Sequence, residues 1–110
     1  MLFRSAYSRV SNIVYNTPLS YAPILSAMSG YEVYLKKENL QRTGAFKLRG
    51  AFNKIASLVE EGKMGGVVAA SAGNHAQGVA FSAKHFGLEA TIIMPEIGRA
   101  SCRERVSSPV

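Results

Sequence analysis

The sequence predicts an α/β fold, a partial open parallel sheet with flanking helices, on three observations. Apolar, β-branched segments alternate after Tyr31 with segments of helical period, and short glycine-bearing connections join them. Hydrophobic residues make up 47% and charged residues 18% of the 110 residues, with mean hydropathy +0.05, so the chain can bury a core. Its length fits one domain at most.

The elements follow in order. Phe3, Tyr7, Val10 and Val14 recur at the spacing of one helix face and predict an amphipathic helix from Leu2 to Val14. Asn16-Thr17-Pro18 ends it, because proline turns the preceding residue away from helix, and Ser20 to Ser29 reads as a short helix closed by Gly30. Tyr31 to Lys36 alternates with β-branched and aromatic content, as a strand does. The polar Gln41-Arg42-Thr43-Gly44 forms a loop, and Ala51, Ile55, Leu58 and Val59 mark the longest helix, stopped by Gly62.

Val67-Val68-Ala69-Ala70 lacks polar alternation, which predicts a strand buried on both faces. Ser71-Ala72-Gly73-Asn74 leads into a helix with Val79, Ala80, Ala83 and Phe86 on one face, and Gly87 ends it. Ala90 to Met94 is a second such strand, closed by Pro95. This order predicts two consecutive βαβ units with every strand parallel. Lys47 and Asn74 would each follow a strand's carboxyl end and face one cleft.

Three parallel strands leave bare edges and too few covering helices, so the fold is expected to continue beyond Pro95. Residues 1–95 read as the N-terminal part of a larger catalytic domain and residues 96–110 as a non-native or disordered tail. Glu96 to Val106 has no periodicity and carries the single cysteine, Cys102, with the densest arginine. It resembles the translation of a common sequencing-library adapter. Ile97 and Val106 are therefore expected to stay outside the core.

Several function classes fall away. A single cysteine excludes a disulfide framework or a cysteine-rich zinc site within this sequence, and His75 and His85 do not stand at metal-ligand spacing. No apolar run approaches the roughly 18 residues of a membrane span, and the N-terminus lacks signal-peptide zones, so a cytoplasmic location is expected. The net charge of +6 invites nucleic acid, but among the basic residues only Lys36 and Lys37 are adjacent, which is no phosphate-tracking surface. Lys63-Met64-Gly65-Gly66 lacks the pattern of a nucleotide loop.

Two stretches carry chemistry. Lys47 lies at a loop-to-helix junction, where its charge opposes the helix macrodipole. A solvated surface lysine accounts for the position alone. The functional alternative is an amine that loses its proton readily through the dipole, the nearby Arg49 and shielding by Phe46, and so can form an imine with a carbonyl. Ser71-Ala72-Gly73-Asn74-His75-Ala76-Gln77-Gly78 follows a strand, and its small residues let backbone amides converge on an anion. Asn74 could instead serve as the helix cap. His85 reads as a solvated or packed helix residue.

Asn16-Thr17-Pro18-Leu19, Lys36-Lys37-Glu38-Asn39-Leu40-Gln41, Gly44-Ala45-Phe46-Lys47-Leu48-Arg49-Gly50-Ala51 and Ser71 to Ala80, in this order, resemble the threonine dehydratases (threonine ammonia-lyases). These are pyridoxal-phosphate enzymes of the tryptophan synthase β-like fold, fold type II. The likeness runs from about Val10 to Pro95, with serine racemases and serine dehydratases as near relatives. It implies that Lys47 holds pyridoxal 5'-phosphate as an imine, that Phe46 and Asn74 contact the cofactor, and that the amides of Ser71, Ala72, Gly73, Asn74 and His75 hold the carboxylate of an amino-acid substrate. It further implies deamination of threonine by a homo-oligomeric parent enzyme. A non-catalytic α/β binding module sharing these strings is the alternative.

Overall fold

A computed structural model describes residues 2–63 and 65–96. The expectation for Ile97 and Val106 falls outside these residues. The order of elements is α1 (Leu2–Val10), β1 (Leu19–Tyr21), α2 (Pro23–Ser29), β2 (Tyr34–Lys36), a 3-10 turn at Glu38–Leu40, α3 (Lys47–Glu60), β3 (Val67–Ala70), α4 (Asn74–His85) and β4 (Ala90–Ile93).

β3 and β4 pair in parallel, from Val67 opposite Ala90 to Ala70 opposite Ile93, with α4 as their crossover. This is one βαβ unit rather than two. The expected first strand contracts to β2, which pairs antiparallel with β1 and not with the parallel pair. Ser20 and Tyr21 are expected from the sequence to open a helix, yet they lie in β1. Pro23 prevents that by holding Ala22 extended (φ −112°, ψ 88°), so α2 begins only at Pro23, its first turn. The Ala22 amide then donates to the Val33 carbonyl at 2.8 Å, and the Val33 amide donates to Ser26 Oγ at 2.9 Å, which fixes α2 beside the β1–β2 pair.

α3 is the centre of the packing. Leu48, Phe52 and Ala56 on one side meet Val10, with Ile13, Val14, Phe81 and Phe86 around them. Ala51 and Ile55 on another side meet Val79 of α4, backed by Val67, Ala69 and Ile92 of the strands. Full burial of Leu48 and Phe52 contributes roughly 1.5–3 kcal/mol each. The helix expected up to Val14 ends at Val10, and its spacing misleads at the start: Phe3 is 91% exposed and only Val10 is buried.

The strand expected to be buried on both faces is covered on one. Val67 and Ala69 face the helices, whereas on the other face Val68 is 70% exposed and Ile93 of β4 is 59% exposed.

Candidate active site

Lys47 opens α3 and Asn74 opens α4. They do not each follow a strand of one parallel sheet, as expected from the sequence, because no strand of the parallel pair precedes Lys47. The two helices that they open are instead packed on each other. A Cβ built on Gly78 would stand 3.3 Å from both N and Cα of Leu48 and 3.2 Å from Ala51 Cβ. Hydrogen alone at this position lets the second turn of α4 touch the first turn of α3. Asn74 lies one turn before Gly78 on the same helix face.

The Lys47 side chain is exposed and has no hydrogen bond or ion pair among the described residues. Two of the causes expected to act on its amine are altered. Phe46 is 63% exposed and shields little, and the Arg49 guanidinium is bound fork-on-fork by Glu38, Nε to Oε2 at 2.7 Å and Nη2 to Oε1 at 3.0 Å. The helix terminus remains, with positive partial charge at its first turn. Phe46 caps α3 without a side-chain hydrogen bond, and the loop reaches it through Gly44 at φ 72°. Within that loop the Thr43 hydroxyl is buried without a partner among the described residues.

At α4 the cap is Gly73, not Asn74, and Ser71 supplies the acceptor. Its Oγ receives the amides of Gly73 and Ala76, each at 3.3 Å. The Asn74 amide group is thus left exposed and without a partner among the described residues. The Ser71 backbone amide donates to the Ile93 carbonyl at 2.9 Å and extends the parallel ladder. Of the five amides expected to form an anion cradle, those of Ala72, Asn74 and His75 have no acceptor among the described residues. His75 is exposed; His85 packs edge-on against Phe52 and Phe86, at 5.1 and 4.9 Å between ring centroids.

Sequence reasoning missed a polar cluster behind Lys47. Glu38 accepts from Arg49, from Thr17 Oγ1 at 2.5 Å and from Gln41 Nε2 at 3.5 Å. The hydrogen bonds from Arg49 hold its carboxyl at about 2, against the opposing effect of burial and with help from Thr17 and Gln41. Glu38 and Gln41 lie in the Lys36 to Gln41 string already noted, but no local period relates them to Arg49. A cleft of about 330 Å³ lies at the far end of α3 and α4, lined by Arg9, Ile13, Phe52, Glu60, His85 and Phe86, and none of the site residues reaches it.

An amine, a carboxamide and three backbone amides without partners among the described residues, at the starts of two packed helices, fit an anionic carbonyl cofactor and a carboxylate substrate. The chain is also similar to known proteins. The L-threonine ammonia-lyase of Thermotoga maritima is 59% identical over 92 residues, which are 84% of this chain and 23% of that protein. Maize serine racemase superposes with TM-score 0.86 at 41% identity, over 94% of this chain and 32% of that one. The processed threonine deaminase isoform 2 of Solanum lycopersicum gives 0.82 at 37% identity, over 97% and 31%. The chain thus spans about a quarter to a third of the length of these relatives. The sequence also matches, over residues 10–107, the pyridoxal-phosphate dependent enzymes, and the chain belongs to that family, whose cofactor is pyridoxal phosphate.

Proposed function

We propose that residues 1–95 are the N-terminal part of the catalytic domain of a cytoplasmic, homo-oligomeric ammonia-lyase. It would deaminate L-threonine to 2-oxobutanoate, and L-serine to pyruvate, in isoleucine biosynthesis or threonine catabolism, without nucleic-acid or membrane partners. Residues 96–110 are then read as a tail foreign to that domain on their composition and missing periodicity, although the family match runs on to residue 107. The observation that carries the reading is the contact of Gly78 with Leu48, which gives Lys47 and Asn74 a common end of the molecule.

When bound, pyridoxal phosphate withdraws electrons from the substrate's α-carbon and makes its proton acidic. Lys47 would hold the cofactor through Nζ, and its amine would serve as the base that takes the substrate's α-proton. Asn74 would hydrogen-bond the cofactor's ring hydroxyl, and Phe46 would contact the cofactor. The substrate carboxylate binds within Ser71 to His75, on the amides that the sheet and the Ser71 cap leave free. Holding this carboxylate fixes which bond of the α-carbon faces the lysine.

A serine racemase-like activity is the second reading, supported by the superposition on the maize enzyme. Product analysis separates the two, since elimination yields a 2-oxo acid and ammonia whereas racemisation yields D-serine. The test of the site joins residues 1–95 to the remaining length of the Thermotoga maritima relative, giving a completed chain. This is loaded with pyridoxal phosphate, reduced with borohydride and digested. The cofactor is expected on the peptide bearing Lys47, with 2-oxobutanoate formed from threonine before reduction. Attachment at another lysine would sink the assignment.

A further inference from the structure

We infer that Glu38 and Arg49 are positioning residues for Lys47: their fork-on-fork pair fixes the rotation of the first turn of α3. The inference rests on the reading of Lys47 as the cofactor's lysine. Lys47, Leu48 and Arg49 are successive residues of one helical turn and point about 100° apart around the axis. Leu48 is fully buried, and its backbone bears on Gly78 of α4. Arg49 is held on another side by both oxygens of Glu38. Two tethers at different angles leave the turn no freedom to roll, and the third direction, where Lys47 stands, is thereby set.

The Glu38 end of this tether is itself anchored. Thr17 and Gln41, each 4% exposed, both donate to its carboxylate. Gln41 Oε1 in turn accepts from the Tyr15 amide at 2.8 Å, and Gln41 Nε2 donates to the Tyr15 carbonyl at 3.1 Å. Lys36 Nζ donates to the Thr17 carbonyl. Arg49 is therefore tied to a cluster that joins the segment after α1, the end of β2 and the 3-10 turn. The loop leading into α3 is tied back only at its start, through Gln41 and through Arg42 Nε, which donates to the Ile13 carbonyl; nearer the helix, the cap Phe46 makes no side-chain hydrogen bond and the Thr43 hydroxyl has no partner among the described residues. The Arg9–Glu60 pair, 2.8 Å at the other end of α3, is a comparable ion pair without this geometry toward Lys47.

The test uses the completed chain loaded with pyridoxal phosphate and compares Arg49→Met, Arg49→Lys, Glu38→Gln and, as control, Arg9→Met. Readouts are borohydride trapping at Lys47, the circular dichroism of the bound cofactor band, and kcat and KM for threonine. Arg49→Met and Glu38→Gln are expected to lower kcat ~10- to ~100-fold, the scale of a small misplacement, and to alter the cofactor dichroism. KM should move less than about threefold, because carboxylate binding lies on α4. Arg49→Lys should restore part of the loss, and Arg9→Met none of these changes. Should Arg49→Met not fold, Glu38→Gln, which keeps the shape and loses the charge, decides the matter. Wild-type dichroism and kcat in Glu38→Gln would overturn the inference, as would equal changes in Arg9→Met at matched stability. Loss of trapping in Lys47→Ala alongside those results would leave the Lys47 reading standing; trapping that survives Lys47→Ala would refute that reading itself.

Discussion

At the scale of single residues, an exposed surface lysine and a catalytic one predict different outcomes for the same substitution. Lys47→Ala in the completed chain should change stability by no more than about half a kcal/mol, since the side chain makes no contact that folding depends on. Threonine turnover should fall ~100-fold to ~10,000-fold from the loss of proton transfer alone. Asn74→Ala should cost about 1 to 3 kcal/mol of cofactor affinity, measured by titrating apoprotein with pyridoxal phosphate. Gly78→Ala tests the contact that brings the two residues together. Alanine would gain about 1 kcal/mol of helix propensity, but its Cβ meets main-chain atoms of Leu48 at 3.3 Å, which cannot swing aside. Overpacking of this kind costs about 1–3 kcal/mol, so urea midpoints should fall and trapping at Lys47 should weaken with them.

At the scale of elements, the Glu38 cluster joins pieces of chain that no local pattern relates, and its charge gives it a pH signature. The carboxyl is held at about 2, below its ordinary value of 4.5. A depressed carboxyl contributes its stability above the unfolded value and loses it as pH falls toward the folded one. The completed chain should therefore exceed its Glu38→Gln variant by about 1–3 kcal/mol at neutral pH, with the gap closing from about pH 4.5 toward pH 2. Urea midpoints of both proteins across that range check this. A gap constant with pH would mean that shape rather than charge holds the cluster. Such long-range ties mark where reading the sequence stops. The helix starts at Lys47 and Asn74 and the glycine ends at Gly30, Gly62 and Gly87 were legible because each depends on neighbours in sequence. Ser71 as the cap of α4, Gly78 as the meeting point and Glu38 as the partner of Arg49 were not, because each depends on a fold already formed. β1 was missed for another reason: Leu19-Ser20-Tyr21, between Pro18 and Pro23, is too short to show a period.

At the scale of the whole molecule, the parallel pair is half covered. α/β architecture was legible from the alternation of Val67–Ala70, α4 and Ala90–Ile93, and the apolar character of both strands anticipated cover on two faces. Only the face of Val67, Ala69 and Ile92 meets helices, while Val68 and Ile93 lie bare on the other. Parallel sheets are ordinarily covered on both sides. Relatives three or more times longer have the chain to do it, the present one spanning 32% or less of the threonine deaminase, serine racemase and ammonia-lyase compared. Val68→Thr and Ile93→Thr should therefore behave differently in two settings. In the completed chain each buries a hydroxyl and should cost about 1–3 kcal/mol by urea unfolding. In the 110-residue chain by itself the same changes polarise an exposed apolar strand face, and should raise the temperature at which aggregation begins. If the two substitutions leave the completed chain's stability unchanged, this face is not covered there, and the apolar strands need another explanation.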